Sequence, residues 1–526
     1  LLDFNWRSHY RGNRAVHRKS GRKVIVGNQK ILKGGEIMEK KKDEDKILRT
    51  QSIRIKKGHR LYTYCDSMCF LSKNLYNTTN FYIRQIFSGL KKDKVSRQDN
   101  EVKVIKEIND VIQTLNDIKI AYVEKRRLKE LQKPENQKKK IADAKLFESL
   151  TEENSYPSYG LLDGVFKTRN QVDYISLPSH SNQHVIKLVF QDWKSFFEAS
   201  KDYKKNPDKY KGKPKPPRYA KKNGRKIAFF SNQTCVIQDN KYLKFPKTKE
   251  KINLGKLGQI EGSLKQVRIV PGHTYYTIEV VFELQEKRVP LKETPERILG
   301  IDLGIDNFAT IVNNVGQQPI IIKGKVLKSI NQYYNKMRAH YYGILRQGKT
   351  EKQGPFTSSR LDKLDSKRRD KVKDFLHKAS FNIIQYAVGL NIDTIIIGKN
   401  KDFKENVNLR KDIKLNFKGI PYSMFIEILI YKANMKCIKV IITEESYTSK
   451  ASFLDNDHIP SYKDKKEEKL QFSGKRIKRG MYKTKNDILI NADVNGAANI
   501  IRKVVPDAFG KGNRGVVSTP LVLSVA

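Results

Sequence analysis

The sequence predicts a mixed α/β protein with a C-terminal α/β domain behind a region of helices and short strands. The chain has 526 residues, enough for about two to four domains. An apolar fraction of 38% is sufficient for packed cores. The hydrophobic period also changes along the chain, from long helical stretches to short strands and then to strands alternating with helices. These observations favour several packed units over a single repeat or a disordered chain.

The N-terminal segment differs from the rest of the chain. Residues 1–37 are rich in glycine and arginine and have little periodicity, and Met38 then opens a charged, periodic sequence. We expect residues 1–37 to be a non-native or upstream extension and Met38 to be the start.

The front half predicts a strand, a set of helices and a group of short strands. Alternation in Ser52-Ile-Arg-Ile-Lys56 predicts the strand, and residues 61–87, 93–147 and 184–203 have helical periodicity. A Lys/Pro/Gly-rich stretch over 204–219 is either a solvated linker or a phosphate-contacting loop. Residues 227–230, 266–270 and 275–282 predict short strands in a small antiparallel sheet or barrel, which the strand near Ile53 would complete.

The back half has a different order of elements. Strands are predicted at 297–303, 308–313 and 319–322, followed by helices at 327–345 and 358–390, a strand at 394–397, a helix at 421–435, a strand at 438–443 and a helix at 494–504. Three strands followed by alternating helix and strand is the order of an RNase H-like domain. The predicted domains are a β-barrel from 38–60 and 220–295, a helical lobe at 61–219, an RNase H-like domain at 296–505 with a basic insert at 446–490, and a tail at 506–526.

The charge of the chain indicates a polyanionic partner. A net charge of +49 and a pI near 9.9 cannot be neutralised within the protein. Aromatic residues among the cations suit base stacking beside phosphate contacts. The sequence contains no run of about 18 apolar residues, so no membrane span is predicted. Four cysteines without a CxxC pair predict a reduced, cytoplasmic protein. The candidate nucleic-acid contacts are Lys211, Lys213, Lys215, Arg218, Lys475, Arg476, Lys478 and Arg479.

Three acidic positions fall at the ends of predicted elements. Asp302 lies on the first strand of the back half, Glu444 and Glu445 follow its last strand, and Asp493 opens the final helix. Each has an ordinary structural explanation, for example a turn for Asp302 and an N-cap for Asp493. Together they could converge on one site for a hard cation such as Mg²⁺, which takes oxygen ligands.

Several ordered motifs resemble the TnpB/OrfB proteins of insertion sequences, which are related to compact type V CRISPR effectors. The resemblance covers residues 46–520, and its most specific motifs lie in the back half. They are Leu299-Gly-Ile-Asp-Leu-Gly-Ile305, Ile397-Gly-Lys-Asn400, Glu444-Glu-Ser-Tyr-Thr-Ser449 and Asn491-Ala-Asp-Val-Asn-Gly-Ala-Ala-Asn-Ile500. Weaker similarity lies in Leu75-Tyr-Asn77, Trp193-Lys-Ser-Phe-Phe197 and Lys211-Gly-Lys-Pro-Lys-Pro-Pro-Arg-Tyr219.

The resemblance implies a RuvC-like nuclease domain behind a wedge-like barrel and a helical recognition lobe. It implies an RNA-guided, Mg²⁺-dependent endonuclease that acts on double-stranded DNA, with two ions that Mn²⁺ could replace. Asp302 and Asp493 match the first and third catalytic acids of the family. The alternatives are a catalytically inactive RNA- or DNA-binding relative and a transposase in the strict sense.

Two features depart from the family pattern. Many relatives carry a glutamate directly after the strand that here ends in Gly398-Lys399. Some members of the wider family have a glutamate before Tyr-Thr-Ser, and this resemblance implies that Glu445 rather than Glu444 replaces it. Adjacent side chains in an extended segment point to opposite faces, so only one of the two should face the metals; Asp402 and Glu405 are weaker substitutes. Many relatives also carry two CxxC pairs before the last acid, whereas residues 450–490 contain no cysteine and only His458, so we expect no zinc.

Overall fold

A computed structural model describes residues 46–255, 262–287, 291–399, 419–460, 471–510 and 519–525. Within those ranges the chain forms two compact units, Lys46–Glu286 and Lys287–Ala526. The N-terminal extension expected at residues 1–37 and the candidates Asp402 and Glu405 lie outside the described residues. In these ranges no helix is both long enough and apolar enough to cross a bilayer.

Five helices of the first unit pack around a common apolar core. Trp193 is fully buried at its centre, with its Nε1 donating to Asn80 Oδ1 at 2.9 Å and its ring 5.4 Å from that of Phe87. The indole is therefore held by a partner for its one polar atom as well as by ring packing. The helices are α1 (Tyr62–Gly89), α2 (Asp99–Leu131), α3 (Tyr159–Thr168), α4 (Val172–Ser176) and α5 (Ser179–Lys205).

The helix predicted over 93–147 is wrong at its C-terminal end. Helix α2 ends at Leu131, and the segment from there to Ser158 contains one short 3-10 helix (Glu135–Gln137) and otherwise no helix or strand. Pro134 follows closely and cannot donate a helical hydrogen bond, and the preceding residue is disfavoured in helical conformation. Helices α3 and α4 were not predicted, because each is too short to show a clear period.

The strands of the first unit form two antiparallel sheets. One has the order β1-β7-β6-β2, and the other has the order β3-β4-β5. Among the described residues no ladder joins the two edges of the larger sheet, so the small barrel predicted from the sequence is not confirmed. The strands are β1 (Lys46–Lys56), β2 (Ala228–Ser231), β3 (Val236–Gln238), β4 (Tyr242–Lys244), β5 (Lys251–Asn253), β6 (Gly262–Pro271) and β7 (Tyr275–Lys287).

The second unit is built on a six-stranded sheet. Its strands are β8 (Ile298–Asp302), β9 (Asn307–Asn313), β10 (Ile320–Lys323), β11 (Thr394–Gly398), β12 (Lys439–Thr443) and β16 (Leu521–Leu523). The order is β12-β11-β8-β9-β10-β16, in which β9 is antiparallel to β8 and β10 while β11 runs parallel to β8 and β12. The predicted strands and helices of the back half all occur. Strand β16 was not predicted, because a run of three apolar residues carries no period.

Helices cover both faces of this sheet. Helices α6 (Lys325–Arg346), α7 (Ser359–Gly389) and α8 (Tyr422–Asn434) belong to one face, where Leu299 and Ile301 of β8 enter the core. Helix α9 (Ala492–Val504) packs on the opposite face against Ile298 of β8. Side chains alternate along a strand, so Gly300 and Asp302 share the α9 face with Ile298.

A second sheet precedes α9. It consists of the antiparallel strands β13 (Lys475–Lys478), β14 (Met481–Lys483) and β15 (Leu489–Asn491). Strand β15 runs directly into α9, so this sheet fixes the start of the helix.

Replacing Gly300 with alanine should destabilise the second unit. A Cβ there would lie 2.5 Å from Ile501 Cγ1 and 2.7 Å from the Ala497 carbonyl oxygen, so α9 would have to shift. We expect a loss of roughly 1–3 kcal/mol in the free energy of unfolding, as for other overpacked cores, measured by chemical denaturation. The matched control is Gly343→Ala on α6, where a Cβ meets nothing within 4 Å. That variant should be more stable by about 0.5–1 kcal/mol, and equal effects of the two substitutions would contradict this packing.

Candidate active site

Asp302 is the last residue of β8, on the side of the sheet that α9 covers. Its Oδ2 lies 3.1 Å from the point where a Cβ on Gly496 of α9 would be placed. The carboxylate therefore reaches the first turns of α9 because residue 496 has no side chain. The apolar neighbours of Asp302 on β8 leave it little water to compensate its charge.

Asp493 lies in the first turn of α9 and is not its N-cap. The Asn491 side chain caps the helix by accepting hydrogen bonds from the backbone N–H groups of Asp493 (2.9 Å) and Val494 (3.2 Å). The N-cap explanation for Asp493 is therefore wrong. Because asparagine caps efficiently, the Asp493 carboxylate is available for other partners. Its Oδ2 accepts a hydrogen bond of 2.6 Å from Asn307 Nδ2.

Glu445 lies beside the position at which many relatives carry a glutamate. A Cβ on Gly398 would lie 3.2 Å from Glu445 Oε2 and 2.5 Å from Ile500 Cδ1. The carboxylate of Glu445 and a side chain at residue 398 would thus compete for one space. Strands β11 and β12 pair in parallel, with Gly398 opposite Thr443, so the residues after β12 come next to the end of β11.

Glu444 has a different environment from Glu445. Its Oε1 accepts a hydrogen bond of 3.0 Å from Lys503 Nζ, which also donates to the Ser446 carbonyl oxygen at 2.9 Å. Lys503 lies near the C-terminal end of α9, so the Glu444–Lys503 ion pair ties the chain after β12 to this helix. Glu444 is therefore in an ion pair with Lys503, whereas the carboxylate of Glu445 lies beside Gly398 at the end of β11.

The loop after Glu445 is fixed to α9 by two asparagines one helical turn apart. Asn499 Nδ2 donates to the carbonyl oxygens of Thr448 (2.9 Å) and Ala451 (2.7 Å). Asn495 Nδ2 also donates to Ala451 O (2.8 Å), and its Oδ1 accepts from the Phe453 N–H (2.9 Å). Spacing of four residues places both amides on one face of the helix. The motifs around residues 444–449 and 491–500 are therefore parts of one packed structure.

The carboxylates of the site are poorly solvated and lie near one another, so their negative charges repel. Burial, and then the neighbouring Asp493, raise the pKa of Asp302 to about 7. Burial, and then Asp302, raise the pKa of Glu445 to about 8. Asp302 therefore interacts with both of the other predicted acids. Desolvation and a like charge both disfavour ionisation, so the ionised site favours a cation as compensation.

Asn307, Lys323 and Tyr422 were not predicted as site residues. Asn307 Oδ1 accepts a hydrogen bond of 2.9 Å from Lys323 Nζ, so a Lys323–Asn307–Asp493 chain fixes the Asp493 carboxylate. The Tyr422 hydroxyl donates to the Gly304 carbonyl oxygen at 2.7 Å, and burial, then Asp302 and Glu445, raise its pKa. Asn307 closes the Asp302 motif and could have been found there; Lys323 and Tyr422 carry no sequence signal.

The oxygen ligands of the three acids suit a hard cation, but the acids lie too far apart to bind one ion together. Carboxylate oxygens are ligands for Mg²⁺ or Mn²⁺ rather than for a soft metal. Among the described residues, no group of three or more potential His, Cys, Asp or Glu ligands is close enough to hold a metal ion. Asp302, Glu445 and Asp493 would have to move closer together to bind one jointly.

The eight candidate nucleic-acid contacts fall into two groups. Lys475, Arg476, Lys478 and Arg479 are exposed on β13 and the turn after it, in the second unit. The side chains of Lys211, Lys213, Lys215 and Arg218 are exposed in the first unit, on a segment that is held to α1. Asn80 Nδ2 donates to the Pro217 carbonyl oxygen at 3.0 Å, and Asn77 pairs with the backbone of Ala220 in both directions. That segment is a fixed strap rather than a free linker.

Two family models match the chain. The OrfB_IS605 model, described as a probable transposase, matches residues 279–404, and the Cas12f1-like TNB domain matches residues 422–500. The resemblance to the TnpB/OrfB family predicted from the sequence is confirmed by these matches. Asp302 lies in the first matched segment, and Glu445 and Asp493 lie in the second.

Solved structures of type V effectors are similar to the chain at low identity. A Cas12f1–sgRNA–target DNA complex is 14% identical with a TM-score of 0.40, covering 86% of this chain and 98% of that chain. A CRISPR-Cas12f ternary complex is 12% identical (TM-score 0.29; 77% and 82% covered), and an AacC2c1–sgRNA binary complex is 9% identical (TM-score 0.34; 86% and 89% covered). No curated protein matches the chain significantly.

The contribution of Asp302 to the free energy of unfolding of the metal-free protein should fall as the pH rises from about 3.8 to about 7. In that range folded Asp302 keeps a proton that the unfolded chain releases, so the folded state is penalised as the pH rises. Glu445 has the same sign and extends the range to about 8. Asp302→Asn cannot ionise, so in a chelator it should gain thermal stability over the unsubstituted chain at pH 8 and little at pH 4. The control is Asp110→Asn, at an exposed carboxylate on α2; the same pH-dependent gain in both variants would contradict the burial of Asp302.

Proposed function

We propose that this chain is an RNA-guided, metal-dependent DNA endonuclease with a RuvC-like nuclease domain. The observation that carries the proposal is the placement of the acids at one edge of the six-stranded sheet. Asp302 Oδ2 lies 3.1 Å from the position of a Cβ at Gly496, three residues after Asp493 on α9, and Glu445 Oε2 lies 3.2 Å from that of a Cβ at Gly398, at the end of the strand paired with β8. The strand order of that sheet and the family matches support the class. Perturbed acids in one place are typical of catalytic sites.

In this proposal Asp302, Glu445 and Asp493 hold divalent cations, two Mg²⁺ ions that Mn²⁺ can replace. Bound cations of this kind activate water and stabilise the leaving oxygen in phosphodiester hydrolysis. The remaining side chains position the acids. Asn307 orients Asp493 through the 2.6 Å hydrogen bond, and Lys503 holds Glu444 in the ion pair, so that the next residue can face Asp302.

Glu445 takes the place of the glutamate that many relatives carry after β11. A residue with a side chain at position 398 would collide with Ile500 and approach Glu445 Oε2, so glycine there is required by the packing. The carboxylate is thus supplied from the neighbouring strand, about 4.8 Å away in a sheet. The departure at Gly398 is consistent with an active nuclease.

The proposed partners are a guide RNA and a double-stranded DNA target. The net charge of +49 requires polyanions, and the strap at residues 211–218 offers a fixed row of exposed cations. The first unit, with its helices and two sheets, would act as the recognition lobe and wedge. If RNA pairing selects the target, the protein has to read only a short flanking motif. We place this activity in the cytoplasm of a prokaryote, at the nucleoid.

Cleavage should depend on the three acids and not on Glu444. The full chain is purified with its bound RNA, the RNA is sequenced, and the complex is incubated with matching DNA and Mg²⁺. Asp302→Asn, Glu445→Gln and Asp493→Asn should each lower the cleavage rate by more than about 100-fold. Loss of a residue that only supports a metal ligand costs up to about 100-fold in activity, and loss of a ligand itself should cost more. Glu444→Gln is the matched comparison: the glutamine Oε1 can still accept the hydrogen bond from Lys503, so the loop keeps its position and activity should stay within a few-fold.

Other results would support the alternatives. Full activity of Glu445→Gln would refute the assignment of the second acid. Binding of matching DNA without cutting by the unsubstituted chain would favour an inactive binding protein, and joining of DNA ends would favour a transposase in the strict sense.

The strap should contribute phosphate contacts to RNA binding. Neutralising Lys213, Lys215 and Arg218 together, each as glutamine, should weaken RNA binding and reduce its salt dependence. Each lost phosphate contact lowers the slope of log K against log salt concentration by about 0.7–0.9. The measurement is a set of RNA-binding titrations between low and moderate salt, and an unchanged slope in the triple variant would contradict the proposed contacts.

A further inference from the structure

The hairpin formed by β13 and β14 touches the acids of the second unit directly. A guanidinium nitrogen of Arg476, on β13, lies 3.8 Å from Asp493 Oδ1. Arg479, in the turn, forms an ion pair with Oδ2 of Asp306 at the end of the β8–β9 turn. The hairpin is also joined to the start of α9, because the Ala492 N–H donates to the Gly480 carbonyl oxygen at 3.1 Å.

The two carboxylate oxygens of Asp493 are both engaged in this arrangement. Oδ1 faces Arg476, and Oδ2 accepts from Asn307 at 2.6 Å. Asn307 is itself fixed by Lys323, so it can hold Asp493 in place while one oxygen binds elsewhere. Arg476 is different, because its positive charge competes directly with any cation at Asp493. The described acids fall short of a joint metal site in the same structure.

The arginines are nevertheless open to a polyanion. The side chain of Arg476 is 47% exposed and that of Arg479 is 82% exposed, so both can be reached without unfolding the hairpin. Residues 471–486 include four further lysines, Lys475, Lys478, Lys483 and Lys485, and no acid. Guanidinium groups bind phosphate through two parallel hydrogen bonds, a stronger contact than a solvated ion pair at 3.8 Å.

We propose that Arg476 and Arg479 form an arginine latch: in the nucleic-acid-free chain Arg476 faces Asp493 while Arg479 holds the hairpin to Asp306, and both arginines move to backbone phosphates when nucleic acid binds. The latch rests on the proposed function, since it regulates the same metal site. Nucleic acid at the hairpin frees Asp493 Oδ1 and so raises the affinity of the site for divalent cations. By linkage, the cation raises the affinity for nucleic acid by the same factor. The chain then completes its metal site only when its polyanion is present.

The latch is tested by Mn²⁺ binding to the full chain freed of nucleic acid by high salt, followed by electron paramagnetic resonance of free Mn²⁺. Arg476→Gln should bind Mn²⁺ roughly tenfold more tightly than the unsubstituted chain, as expected for loss of one partly solvated charge about 4 Å away. Arg476→Lys, which keeps the charge, should stay near the unsubstituted value. Lys485→Gln is the matched control, because it removes the same charge from an exposed side chain in the turn between β14 and β15.

A second arm adds a short oligothymidylate. The oligonucleotide should raise the Mn²⁺ affinity of the unsubstituted chain to near the affinity of Arg476→Gln. It should raise the Mn²⁺ affinity of Arg476→Gln itself much less. Binding by the oligonucleotide itself is subtracted with Asp302→Asn protein. Equal Mn²⁺ affinity in Arg476→Gln and the unsubstituted chain, with Asp302→Asn still abolishing binding, would overturn the latch and leave the metal site intact. Mn²⁺ binding that is insensitive to Asp302→Asn in every variant would overturn the metal site and the latch together.

Discussion

The close approach of α9 to the ends of β8 and β11 is the constraint on which the second unit depends. It is possible because Gly300 and Gly398 have no side chains where Ile501 and Ile500 of the helix pack, at 2.5 Å from the positions of the missing Cβ atoms. With the helix this near, its first turn brings Asp493 beside Asp302, and its later turns hold the loop after Glu445 through Asn495 and Asn499. One helix thus places all the acids of the candidate site.

This packing creates an electrostatic problem as well as a site. Asp302 and Glu445 are partly buried near other carboxylates, which raises their pKa values to about 7 and about 8. A folded chain that keeps such groups gains no stability from them near neutral pH. Their presence is explained by a positively charged partner, and the structure contains one candidate from the protein itself, Arg476 beside Asp493. In the proposed mechanism a metal ion and Arg476 are alternative partners of Asp493.

The sequence predicted the back half of the fold well and the contacts within the site less well. Strands β8 to β12 and helices α6 to α9 follow from strong, long periodicity in the sequence. Because side chains alternate along β8, Asp302 lies on the same face as Ile298, which packs against α9. The preference for Glu445 over Glu444 came from the family resemblance and stays a prediction; Glu444 is paired with Lys503, and Glu445 lies beside Gly398. Closure of the barrel is not confirmed, since pairing of distant strand edges leaves no local signal in a sequence. Helix α2 was predicted too long because the charged segment after Leu131 turns back and pairs with α2, for example through Asn116 and Phe147, which no periodicity indicates. Asn307, Tyr422 and the position of Arg476 depend on contacts between residues far apart in sequence, which no local pattern encodes.

The central claim is that Asp302, Glu445 and Asp493 bind divalent cations together. The most direct measurement is a crystal or cryo-EM structure of the full chain with bound nucleic acid and Mn²⁺, with the ions located by anomalous scattering where crystals are obtained. The expected result is metal density between these three carboxylates, next to Gly398, with Arg476 turned toward a phosphate. Metal density elsewhere, or three separated carboxylates in the presence of nucleic acid and Mn²⁺, would contradict the account.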